Sequence, residues 1–119
     1  MEINEIDKVV KEFTEADNAI RKVFPKVDPL LVVRLIFDRK AGNDHIYTLE
    51  TIIKSGQNLE EIRDKIVQVT GMVPSFYLKG TKLVVSHKLD LTLLKRINDL
   101  DYVVSIKGSL YSAGGSSDF

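Results

Sequence analysis

Apolar residues return every three or four positions along the first segment, at Ile3, Ile6, Val10, Phe13, Ile20 and Phe24, with Ala16 near the missing place. Nearly everything between them is charged, which is the stripe of an amphipathic helix. Pro25 and then Asp28-Pro29 end it, because proline removes a donor and pushes its predecessor out of the helical region. Leu31 to Asp38, LVVRLIFD, is short, rich in β-branched residues and apolar on both alternating faces except at Arg34, and so predicts a central strand. AGND at 41–44 is turn chemistry. His45 to Ile53 sets Tyr47, Leu49 and Ile53 against Thr48, Glu50 and Lys54, predicting a second strand hairpin-paired to the first. Ile46, Leu49 and Ile53 also stand at helical spacing, so a helix over 45–55 is the competing prediction.

Asn58-Leu-Glu-Glu61 is a capping signature that opens a helix with Leu59, Ile62, Ile66 and Val69 as its buried stripe, ended by Gly71 in a left-handed turn. Pro74 introduces a short strand from Ser75 to Lys79, and Gly80-Thr81 separates it from a second, Lys82 to His87. Asp90 caps a last helix carrying Leu91, Leu94 and Ile97 on one face. Tyr102 to Leu110 alternates as a closing strand with Tyr102, Val104 and Ile106 inward. Residues 1–26 thus form an amphipathic helix that packs on the domain or self-associates, 27–111 an α+β domain, and 112–119 a flexible Gly/Ser tail.

The order after the first helix resembles the ubiquitin-like β-grasp, in which a mixed sheet wraps one long helix. VVRLIFDRK, NLEEIRDKI, FYLKGTKLVV and KLDLTLLKRIND are similar to the Phox and Bem type of heterodimerisation domain. The resemblance implies a basic partner-binding position at Arg34 on the first strand, while the acidic half of such an interface has no counterpart in GTKLVVSHKLD. Gly114 and Gly115 resemble the diglycine of ubiquitin-type modifiers and sulfur carriers, which implies conjugation through Gly115 once SSDF is removed. If residues 45–55 are helical instead, the order becomes that of a ferredoxin-like sheet. Such sheets bind RNA through exposed aromatics, and Phe76 and Tyr77 with Lys79 and Lys82 are the candidates.

Composition narrows the chemistry. The chain has 119 residues, 44% of them hydrophobic, which is one domain's worth of core. Seventeen basic residues balance seventeen acidic ones, so no global field draws nucleic acid or an anionic membrane. There is no cysteine, which excludes disulfides and thiolate chemistry. No apolar run is long enough to span a bilayer, and a cytoplasmic protein is the expectation. His45 and His87 are the only histidines and lack partners at ligand spacing, so neither a metal nor another cofactor is expected; His87 reads as a partly exposed edge residue. No nucleophile, base and orienter set is present, which points away from an enzyme.

The expected function is therefore a non-catalytic protein–protein interaction module of ubiquitin-like type. Arg34, Lys79, Lys82 and Tyr77 are its candidate partner-binding residues, and its partners are other proteins or a second copy held through the first helix. The alternatives are a modifier or sulfur-carrier precursor acting through Gly114 and Gly115, and a weak RNA-binding ferredoxin-like domain. The apolar stripe of the first helix is expected to cover the second face of the sheet or to self-associate. Asp17, at an otherwise apolar heptad position, counts against a long coiled coil.

Overall fold

The computed structural model describes residues 2–111, with side chains from Asn4 onward. Four helices and four strands follow in the order α1 (Glu2–Val23), α2 (Pro29–Ala41), β1 (Ile46–Ile53), α3 (Leu59–Thr70), β2 (Ser75–Tyr77), β3 (Lys82–Lys88), α4 (Leu91–Asn98) and β4 (Val103–Leu110), with a 3₁₀ turn, Leu78–Gly80, between β2 and β3. The chain is α+β, and the sheet runs β2-β3-β1-β4 with every strand pairing antiparallel. The only parallel contact among the described residues is a single bridge from Val27 to Ile106 at the outer edge of β4. A mixed β-grasp sheet is therefore not what these strands form. From β1 onward the order β-α-β-β-α-β with interleaved strands is the split β-α-β arrangement of ferredoxin-like domains.

The largest departure from the sequence prediction is Leu31 to Asp38, which is helix α2 rather than a central strand. Asp28-Pro29 starts this helix instead of merely ending the previous one. The Asp28 carboxylate accepts from the Leu30 amide at 3.1 Å, and Pro29 occupies the first turn, where its missing donor costs nothing. Gly42, at φ 70°, closes the helix, and the Asn43 amide reaches back to the Asp38 carbonyl at 2.9 Å. The segment is apolar on all sides for two separate reasons. Leu31, Val32 and Leu35 are buried against the sheet, whereas Leu30 and Phe37 point away from it and are exposed.

With its predicted hairpin partner gone, β1 lies in the middle of the sheet between β3 and β4. It is a strand and not the competing helix, and Tyr47, Leu49, Thr51 and Ile53 face the helical layer. α3 and α4 carry the predicted caps: Asn58 accepts from the Glu60 and Glu61 amides at 3.1 and 3.2 Å, and Asp90 from the Leu93 amide at 2.8 Å. Gly71 ends α3 at φ 78°.

In β4 the predicted alternation fails at its start. Ile52 pairs with Ser105 but Ile53 with Val103, so Val104 is an extra residue that bulges outward. Val103 and Ile106 are buried, while Val104 is exposed and Tyr102 half-buried. His87 is a further correction, since β3 is an interior strand and its imidazole is 5% exposed within the core.

Candidate interaction surface

The sheet has one helical face and one open face, and the open face is polar. It carries Thr48, Glu50 and Ile52 on β1, Lys82, Val84 and Ser86 on β3, and Ser105, Lys107 and Ser109 on β4. Glu50 sits at its centre, 2.8 Å from the Lys82 ammonium and 3.7 Å from that of Lys107. Thr48 and Ser86 hydroxyls hydrogen-bond across the strands at 2.7 Å. Such a face needs no apolar cover, and α1 does not supply one.

α1 is instead anchored at its last turns and projects. Ile20 and Phe24 pack on the core, the Lys95 ammonium donates to the Val23 carbonyl at 2.9 Å, and the Lys26 amide donates to the Asn98 side-chain carbonyl at 3.1 Å. These contacts fix the direction in which α1 leaves the body. At 1.5 Å per residue its 22 residues extend for about 33 Å. Toward the free end, Ile6, Val9, Val10 and Phe13 are all between 58 and 68% exposed.

The stripe continues onto α2. Phe13, Ala16 and Ile20 on α1 and Leu30, Val33 and Phe37 on α2 line one groove of about 500 Å³. Leu30 and Phe37, 71 and 66% exposed, form its outer lip. Asp17 and Arg21, ion-paired at 3.0 Å, flank it on α1. The groove exists because the chain turns back at Pro25–Asp28, where Val27 is pinned to β4. The Ile106 amide donates to the Lys26 carbonyl at 2.8 Å and the Asp28 amide to the Ile106 carbonyl at 2.9 Å. Val33 and Phe37 escaped the sequence reading because they were assigned to a strand, and Leu30 because it stands just before that strand. The signal that could have found them was Asp28-Pro29 at one end of the segment and Gly42 at the other.

The residues selected from sequence do not form one site. Arg34 is on α2 and lines a groove with Lys107, Gly108 and Ser109 at the β4 edge. Tyr77, Lys79 and Lys82 lie toward the opposite, β2 edge of the sheet. Tyr77 is exposed, Lys79 turns through the left-handed region at φ 58°, and Lys82 is held by Glu50. Phe76 faces the helices and packs on the core. Gly114 and Gly115 lie outside the described residues.

Two polar clusters lie elsewhere in the domain. Asp38 accepts from the Tyr47 hydroxyl at 2.5 Å and lies 3.1 Å from His45 Nδ1. Burial, and then the bond to the Asp38 carboxylate, push the Tyr47 phenol well above its ordinary value, so it stays protonated. His87 Nδ1 lies 2.7 Å from the Lys88 carbonyl, and its Nε2 is buried without a partner. Burial lowers the pKa of this imidazole. Among the described residues no group of three or more His, Asp or Glu side chains is placed to hold a metal ion, and no helix is long and apolar enough to cross a membrane. No protein-family profile, curated protein or solved structure matches the chain.

Proposed function

We propose that this protein is a non-catalytic protein–protein interaction module whose docking surface is the α1–α2 helical hairpin. The observation that carries the reading is the run of exposed apolar side chains from Ile6 through Phe13 into the groove beneath Leu30 and Phe37. A continuous apolar surface of this kind marks an interaction site on a soluble domain, whereas single exposed apolar residues do not. Its shape, one helix laid beside another, suits a partner that presents an amphipathic helix.

The ubiquitin-like resemblance is not part of this proposal, because Arg34 lies on a helix and the sheet is antiparallel. The modifier reading rests on Gly114 and Gly115, outside the described residues. The RNA reading draws on the open sheet face, where Glu50 opposes phosphate and the two central strands present Thr48, Ile52, Val84 and Ser86 rather than aromatic rings.

The test is a photo-crosslinking side chain placed at Val9, with the same group at Ser105 on the sheet face as control, in cells expressing the full chain. Adducts from position 9 and none from 105 support the hairpin as the docking surface. Adducts from 105 alone remove the reading.

A further inference from the structure

Resting on the reading of the α1–α2 hairpin as a docking surface, we infer that its occupant is a second copy of this chain, with the two α1 helices antiparallel about a two-fold axis near Thr14 and Glu15.

Three observations lead there. The first is self-complementarity. The free half of α1, Ile6 to Phe13, carries an exposed apolar stripe without a groove, and the anchored half, beside α2, is a groove without a third helix. A two-fold interface joins each such surface to the other twice over. The antiparallel arrangement lays Phe13 of each copy at Asp17 and Ile20 of the other, at the mouth of the groove, and brings Val10 to Ile20 of the second copy.

The second is charge. Asp7, Thr14 and Arg21 follow one another at seven-residue intervals on one flank of the apolar stripe. With the axis near Thr14, Asp7 of each copy faces Arg21 of the other, whose guanidinium also holds Asp17 of its own helix at 3.0 Å, so each Arg21 is shared between two carboxylates at the rim. A parallel, in-register pair would instead put Asp17 opposite Asp17 within the stripe, a like-charge contact that is strongly disfavoured. The same Asp17 that counts against a long parallel coiled coil thus selects the antiparallel one.

The third is area. Phe13, Phe37, Ile6, Val9, Val10 and Leu30 are each about two-thirds exposed and together offer on the order of 500 Å² of apolar surface per copy. A stable interface takes about 800 Å² from each partner, some 56–65% of it apolar, which is the same amount.

Sedimentation equilibrium of the purified full chain, at concentrations up to about 1 mM, tests the inference. A species of twice the 13.4 kDa chain mass is expected, and a monomer throughout overturns it. Phe13→Ala and Phe37→Ala, both on exposed side chains that leave the fold intact, should each weaken the dimer roughly tenfold or more. A dimer indifferent to both assembles elsewhere, and the inference falls. Asp7→Arg should weaken association roughly tenfold and Arg21→Asp somewhat more, because it also releases Asp17 of its own helix, and the double variant should associate more tightly than either single variant. Failure of that rescue overturns the antiparallel register. The crosslinker at Val9 separates the two levels: adducts with another copy support both, adducts with a different protein keep the docking surface and remove the second copy, and no adducts at all remove both.

Discussion

The Tyr47 hydroxyl donates to the Asp38 carboxylate at 2.5 Å, tying the start of the central strand to the end of α2. Both groups are largely out of water, Tyr47 at 1% and the Asp38 side chain at 17% exposure. Tyr47→Phe deletes the donor and leaves the carboxylate with His45. Hydrogen bonds to a charged group contribute about 1.5–3 kcal/mol, so the variant should lose stability in that range. Chemical denaturation of the two proteins side by side measures it, and a loss below about 0.5 kcal/mol would show that the bond adds nothing net.

The assignment of α2 gives its own prediction, because a helix and a strand group these residues differently. In a strand Leu35 and Phe37 share a face; in α2 Leu35 is buried and Phe37 exposed. Leu35→Ala should therefore cost about 2–5 kcal/mol, while Phe37→Ala should stay within about 0.5 kcal/mol. Both are to be measured under dilution, where association does not contribute. Equal costs would contradict the helix.

Gly108 marks where α2 crosses β4. A Cβ built there would stand 2.6 Å from Leu49 Cδ2, 3.1 Å from the Thr48 carbonyl and 3.3 Å from Leu31 Cδ2. Gly108→Ala must displace a buried leucine and a strand carbonyl, and should cost about 1–3 kcal/mol. An unchanged melting curve would mean that the Leu49 side chain gives way there without cost.

His87 makes stability depend on pH. Its folded pKa lies below the ordinary 6.5, since burial disfavours the imidazolium, so the unfolded chain binds the proton more readily. Stability should accordingly be full above about pH 7 and fall as pH drops through the unfolded value, levelling off only below the folded one. Carboxylates titrate mainly below about 4.3, so the slope between pH 7 and 5 reports on imidazole, and the share of His87 is the part its replacement removes. His87→Gln should flatten it, and an identical slope in the variant would place the titrating group elsewhere.

How much of this was legible beforehand differs from element to element. The boundaries of α3 were written in Asn58 and Gly71, and the start of α4 in Asp90, because a cap is a contact between residues two to four apart. The inward face of β1 was likewise legible as Tyr47, Leu49 and Ile53. α2 was misread because Asp28-Pro29 serves both as the stop of one helix and the start of the next, and because a segment apolar on every side has no period to betray it. The docking groove followed α2 out of view, since one of its two walls is built from α2 residues, Leu30, Val33 and Phe37 among them.

Short-range information in the chain was thus enough for the α+β class, the length and amphipathic character of α1, three of the four helices and the approximate places of the four strands, because these features depend on periodicity and on caps a few residues wide. Leu78 and Lys79, read as the end of β2, form a 3₁₀ turn instead. The strand order, the bulge at Val104, the burial of His87 and the groove that Phe13 and Phe37 line together depend on pairings between residues far apart along the chain. No local pattern encodes such pairings: they are set by which apolar faces are left to cover one another once the sheet has closed. The tertiary structure settled that α1 would point away from the sheet, for the physical reason that the open face, centred on Glu50 between Lys82 and Lys107, offers it little apolar surface beyond Ile52 and Val84.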